Sequence, residues 1–247
     1  MERDAFFALL EQTFEVNSIN AVATREIRDR LFDATELILK AGEVMNLTAI
    51  RTEEQFIPLH WADALLAVKY IPQNASLLDV GTGGGILALA YAIARPDLRV
   101  TAIDSTSKKT AFVAECAKTL GLTNLSAFSA RAEELGHDRN YREKFDFVCA
   151  RAVASLPVLC ELCLPLARVG GNFCALKGKA ATEELAASSN AIKTLGGRLT
   201  DDVSATLTEI TGETNVLYDR HIILISKTAK TSENYPRSFA RISKNPL

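Results

Sequence analysis

At 247 residues and 48% apolar composition, the chain has material for one α/β domain with a sizeable core and an appendage. A formal net charge of −2 excludes the strongly basic profile of a protein that holds nucleic acid through overall charge alone. No apolar run reaches the ~18 residues of a membrane span, and acids interrupt the apolar pattern of the opening MERDAFFALLEQTF, unlike a signal peptide. A cytoplasmic protein with reduced cysteines and no membrane contact is expected.

The leading residues read as helices. Phe6, Phe7, Leu10 and Phe14 form an apolar stripe within 3–16, and Ile27, Leu31, Ala34, Leu37 and Ile38 form another within 24–40, which Gly42 ends. Residues 46–50 (NLTAI) suit a turn or a brief strand. Thr52 and Gln55 have capping-box spacing ahead of an apolar helix through His60 and Val68. Residues 1–70 therefore read as an acidic N-terminal helical cap, and Pro72 leads into the domain of residues 71–228.

That domain is organised around residues 76–104, SLLDVGTGGGILALAYAIARPDLRVTAID. An apolar run ends in Gly81, Gly83, Gly84 and Gly85. An apolar segment of helical length follows up to Pro96, and a second apolar run ends in Asp104: one βαβ unit. Glycines at a strand's carboxyl end let a ligand approach the backbone, and an acid at the next strand tip suits the two hydroxyls of a ribose. A dinucleotide site wants G-x-G-x-x-G, but its last position here is Ile86. The spacing G-x-G-x-G preceded by Asp79 looks instead like motif I of the S-adenosylmethionine (SAM) methyltransferases. SAM has no pyrophosphate and needs no third close glycine. A structural turn in an α/β domain without a ligand is the bland alternative.

After Asp104 the alternation continues. A helix over 108–120 ends at Gly121, and strands follow at 125–130 and at 145–150, the latter ending at Arg151. A helix over 156–167 contains Pro157 and Pro165. Gly170 and Gly171 turn into a strand at 172–177, a helix over 182–195 ends at Gly196 and Gly197, and two strands lie near 198–208 and 221–227. The tail, 229–247, is basic: from 226 onward Lys227, Lys230, Arg237, Arg241 and Lys244 face only Glu233, with Tyr235 and Phe239 interleaved. Such a tail suits a phosphate backbone or plain solvent, and composition favours solvent.

In a doubly wound sheet the ligand lies beyond the strands' carboxyl ends. Gly81, Asp104, Ala132, Glu133, Arg151 and Lys177 all fall there, and their convergence is the best internal sign of a site. Arg151 and Lys177 read equally well as surface charges. Cys160 and Cys163 sit in a helical apolar pattern with no second pair, which fits core packing better than metal or redox chemistry. His60, just before Asp63, reads as a structural histidine more readily than as a general base. No Pro-Cys dipeptide and no [DNS]-P-P-[YFW] motif occurs, so neither cytosine-C5 nor adenine-N6 methylation is evident. A nucleophile with a free lone pair, such as guanine N7, needs neither motif, and Arg151 or Lys177 would suit its O6 or an adjacent phosphate.

At this point the chain resembles the RsmG (GidB) family, bacterial small-subunit rRNA guanine-N7 methyltransferases. The resemblance runs nearly end to end through NLTAI (46–50), HWADALL (60–66), LLDVGTGGG (77–85), IDSTSKK (103–109), RAEEL (131–135), FDFVCARAVASL (145–156), LCLPL (162–166), ALKG (175–178), LGG (195–197), YPR (235–237) and NPL (245–247). One departure is that the family usually continues G-F-P-G-x-P where this chain reads Gly85-Ile86-Leu87-Ala88-Leu89-Ala90. Another is Phe239-Ala240-Arg241 in the tail, where a glycine is common.

The resemblance implies a Rossmann-like class I fold: a mostly parallel seven-stranded sheet with helices on both faces, plus the N-terminal cap. It implies SAM as methyl donor, S-adenosyl-L-homocysteine as product, and 16S rRNA or the small ribosomal subunit as partner; separately, no metal and a monomeric chain are expected. The expected cofactor contacts are Asp79, Gly81, Gly83, Gly85, Ile86, Asp104, Ser105, Thr106, Ala132, Glu133 and Arg151. Arg151 and Lys177 are the expected catalytic residues, with Lys177 and the tail toward the rRNA; His60 and Arg220 match family positions without an assigned role. Two other readings stay open: a SAM enzyme with a small-molecule or protein acceptor, and a non-catalytic RNA-binding or assembly factor.

Overall fold

Runs with apolar side chains on alternating faces form the strands. The computed structural model describes residues 1–19, 24–212 and 214–247. The strands are β1 Ser76–Val80, β2 Arg99–Asp104, β3 Leu125–Ser129, β4 Phe145–Arg151, β5 Ala167–Lys177, β6 Gly197–Thr211 and β7 Thr214–Lys227. They make one seven-stranded sheet in the order β3-β2-β1-β4-β5-β7-β6. The first five run parallel, and β7 is antiparallel to both β5 and β6.

Successive side chains of a strand point to opposite faces, so the sheet supports two cores. Leu77, Val100, Phe147 and Cys174 face one and Leu78, Ile103, Val148 and Phe173 the other. The first core is covered by α1 Arg3–Val16, α2 Arg25–Gly42, a segment built of α3 Glu53–Phe56, a π-helical turn Ile57–Ala62 and α4 Asp63–Leu65, and then α5 Ile86–Ala94 and α6 Ser107–Thr119. All nine residues of α5 are buried, as a helix apolar all round requires. Two bonds tie the leading helices together and to α5: Trp61 Nε1 donates to Thr35 Oγ1 at 2.8 Å, and Tyr91 Oη to the Ala64 carbonyl at 3.1 Å. The second core is covered by α7 Ala132–Leu135, α8 Leu156–Cys163, α9 Ala181–Ala187, α10 Ser189–Thr194 and α11 Phe239–Lys244. Cys160 and Cys163 are buried here as free thiols.

The structure corrects several element boundaries. The helix expected to reach residue 167 stops at Cys163, because Pro165 cannot continue it, and Ala167 already pairs with Phe145. The single helix expected over 182–195 is two, parted at Ser188, whose hydroxyl donates to the Glu184 carbonyl at 2.6 Å. β6 and β7 pair from Gly197↔Lys227 out to Thr211↔Thr214, well past the expected strands. Thr52 is the N-cap of α3, but its hydroxyl makes no capping bond. Residues 46–50 form no strand.

Candidate active site

Strand order reverses at β1, which lies between β2 and β4, and a crevice opens there at the strands' carboxyl ends. It holds a cavity of about 520 Å³. Of the expected residues, Asp79, Gly81, Gly83, Ile86, Asp104, Ser105, Ala132, Glu133 and Arg151 line it; Gly85, Thr106 and Lys177 do not.

The glycine turn makes the floor. Thr82 N–H donates to the Ile103 carbonyl at 2.8 Å, which pins the turn to β2. Gly81 has φ +70°, and a Cβ there would come within 2.5 Å of Val153 Cγ2; only glycine lets the loop after β4 close over this point. Gly83 has φ +56°, and a Cβ there would meet nothing nearer than 4.0 Å. That space belongs to the cavity. Gly85 serves the fold instead, since a Cβ there would press on Val113 of α6 at 2.7 Å. Ile86 starts α5 with a regular first turn, Leu89 N–H to the Gly85 carbonyl at 2.8 Å. The Ile86–Ala90 departure from the family pattern therefore leaves the turn intact.

Asp104 ends β2. Its carboxylate accepts from Gly83 N–H at 3.1 Å and from Thr106 N–H at 2.8 Å. Thr106 thus acts through Asp104 and as the N-cap of α6. Asp79, nearly fully buried, accepts from Thr82 Oγ1 at 2.6 Å. Burial raises its carboxyl to about 6, against the Thr82 hydroxyl and the Arg151 charge, which both lower it.

Arg151 ends β4, and the next residue, Ala152, holds a left-handed φ of +58°. Its Nη1 donates to Asp63 Oδ2 at 2.8 Å, while Arg220 Nε donates to Asp63 Oδ1 at 2.6 Å. Asp63 is buried, so two guanidiniums from β4 and β7 share one carboxylate and the cluster keeps a net positive charge. This gives Arg220 a role that its sequence position alone does not reveal.

His60, in the π-helical turn, forms part of the wall. Its Nδ1–H donates to the Leu59 carbonyl at 3.0 Å, and Nε2 accepts from Thr48 Oγ1 at 2.7 Å. Burial, with Arg151 adding to it, lowers its pKa to about 4, so the imidazole is neutral at neutral pH. Lys177 Nζ donates to the Ala154 carbonyl at 2.9 Å and pairs with Glu184 at 2.6 Å, holding the loop after β4 rather than entering the cavity.

Among the lining residues that sequence reasoning missed are Leu47, Thr48, Lys109, Val153, Leu162 and Phe239. Lys109 follows Asp104 closely enough to be found from position. Leu47 and Phe239 arrive from opposite ends of the chain, and neither the motif at 46–50 nor the aromatics of the basic tail point to the cavity.

The family model described as rRNA small subunit methyltransferase G matches residues 29–209. The ribosomal RNA small subunit methyltransferase G of Brevibacillus brevis is 40% identical over 96% of this chain and 98% of its own. Its counterpart from Acetivibrio thermocellus is 41% identical over 89% of this chain and 88% of its own. Among solved structures, a precorrin-6Y C5,15-methyltransferase from Geobacter metallireducens has a TM-score of 0.52 at 12% identity, covering 74% of this chain and 91% of its own. A SAM-dependent methyltransferase from Aquifex aeolicus has a TM-score of 0.51 at 17% identity, covering 69% of this chain and 92% of its own. These two likenesses speak for the fold alone. With the family match spanning most of the sequence and relatives aligned over nearly their full length, the chain belongs to the rRNA small subunit methyltransferase G family.

Proposed function

We propose that the protein transfers a methyl group from SAM to N7 of one guanine in 16S rRNA and releases S-adenosyl-L-homocysteine. The observation that carries this reading is the meeting, at one cavity, of the glycine turn, the Asp104 carboxylate and Arg151 in a chain of this family.

The residues suit SAM. Gly83 leaves open the volume a side chain would fill. Asp104 spends one acceptor position of each oxygen on an amide and keeps the others for ribose hydroxyls. Ala132, Ile103 and Leu162 offer apolar surface beside Glu133. When bound, SAM supplies a methyl group on a positively charged sulfonium.

Guanine N7 carries a free lone pair, so no side chain has to remove a proton before attack. The chain's work is alignment and exclusion of water, and orientation of this kind is worth up to ~7–11 kcal/mol. Arg151, fixed by Asp63, is the residue we assign to guanine O6 or a neighbouring phosphate. The neutral His60 adds no positive charge beside a cationic donor.

Asp79 makes cofactor affinity depend on pH. A carboxyl raised to about 6 keeps its proton in the folded protein where an unfolded aspartate has lost it. By itself it therefore favours the fold at low pH, and this contribution is lost as pH rises through about 6. A cationic ligand favours the ionised form, so SAM affinity should rise about ten-fold between pH 5 and 7. Asp79→Asn should flatten that step; titrations at both pH values test it, and an unchanged slope in the variant rules Asp79 out as its source.

Lys177→Ala should leave SAM affinity within about two-fold, because the side chain lies outside the cavity. It should still slow methylation, because Lys177 Nζ anchors the loop after β4 at the Ala154 carbonyl. Equal loss of binding and turnover would contradict that division. The reading as a whole is tested by transferring labelled methyl from SAM to small subunits or 16S rRNA lacking the modification and mapping the label. Label on N7 of one guanine supports it; label elsewhere, or none, overturns it.

A further inference from the structure

Phe239 is 41% exposed, yet it lines the cavity, and it is the only phenylalanine, tyrosine or tryptophan among the described residues that does so. It opens α11, which is seated by the fully buried Ile242 in the core beneath α8. The tail reaches this place through fixed contacts. Gly136 lacks the Cβ that would fall within 2.6 Å of Pro236 Cγ. His137 Nε2–H donates to the Pro236 carbonyl at 2.7 Å, and Arg237 makes paired bonds to the buried Glu161 at 2.8 and 2.6 Å.

All of these contacts lie on α7 or α8 or just beyond α7. The same two helices give Ala132, Glu133 and Leu162 to the cavity. His60 and Arg151 come from the π-helical turn and the end of β4 instead. Phe239 therefore shares the cavity with Ala132 and Glu133, on a backbone anchored to the segments that carry them. An exposed phenyl ring on a rigidly held backbone has an unsatisfied apolar face, and a flat purine laid on it removes both surfaces from water without ordering the tail anew.

We infer that Phe239 is a stacking wall for the adenine of SAM, so that the C-terminal tail completes the cofactor subsite. This deepens the methyltransferase reading and rests on it. The tail then serves the cofactor at Phe239, while its exposed Arg241 and Lys244 remain toward solvent.

Calorimetric titration of the full chain with S-adenosyl-L-homocysteine and with 5′-methylthioadenosine tests the inference. Phe239→Ala should weaken both ligands by the same factor, about ten-fold, within the range of base stacking on an aromatic side chain. Phe239→Tyr, which keeps the ring, should bind both within about two-fold of the parent. Phe239→Leu keeps apolar bulk without a ring, so it should fold like the parent and still weaken both ligands about ten-fold, which keeps the test open should the alanine variant unfold. Unchanged affinity in Phe239→Leu, or a loss confined to RNA methylation, overturns the inference and moves the ring to the acceptor side. A parent chain that binds neither ligand overturns the methyltransferase reading itself, and this inference with it.

Discussion

Arg237→Ala should lower the unfolding free energy by about 3–5 kcal/mol, the scale for removing one partner of a buried ion pair. Glu161 has no exposed surface. It accepts from the Arg237 backbone N–H at 2.8 Å, from Nε at 2.8 Å and from Nη2 at 2.6 Å. The alanine variant keeps only the backbone bond and leaves a carboxylate buried with no countercharge. For a chain of this size the melting temperature should fall by on the order of 10 °C. The double variant E161Q/R237A should recover part of that loss, since a neutral amide is less costly to bury than an unpaired charge. Denaturant unfolding of the three proteins checks it. A loss under about 1 kcal/mol, or a double variant no more stable than R237A, would mean that the charge is not the issue.

The tail is the clearest case of what the sequence hides. As a basic run it reads like a solvated or RNA-facing segment, yet Arg237 is used on Glu161, and Thr231, Pro236 and Ile242 are buried. Lys227, counted among its cations, is also buried. It donates to the Leu164 and Leu195 carbonyls at 3.0 and 2.9 Å, and burial lowers its pKa to about 8. Charge counting says nothing about such partners, because they lie some 30 or more residues away in the chain.

Local patterns were legible where a local rule governs them. The glycine turn, the strand-tip acid and the residues after β3 and β4 follow from strand length and turn chemistry, and the structure brings them to one cavity. The seven-stranded sheet follows from the α/β alternation together with the family motifs. The long β6–β7 hairpin did not, because its outer residues, among them Asp219 and Leu217, break the apolar alternation beyond the body of the sheet. The shared carboxylate of Asp63 was equally hidden, since it joins residues from three elements that only the fold makes neighbours.

Asp104→Ala should weaken SAM by about 1.5–3 kcal/mol, the worth of hydrogen bonds to a charged group, or roughly 10- to 150-fold in affinity. Two losses combine. The ribose hydroxyls lose their acceptor, and Gly83 N–H and Thr106 N–H lose the carboxylate that holds the turn to β2. Asp104→Asn retains one acceptor oxygen and should fall between the parent and the alanine variant. Calorimetry on the three proteins checks the order; an alanine variant binding within about two-fold of the parent would remove Asp104 from the cofactor site.

The account stands on the adenosine moiety occupying the crevice between the glycine turn and β2. A crystal structure of the protein with S-adenosyl-L-homocysteine tests this most directly. The ribose hydroxyls are predicted within hydrogen-bond distance of the Asp104 carboxylate, with the adenine beside Ala132 and Glu133. A ligand bound elsewhere, or a ribose that makes no bond to Asp104, would contradict the account.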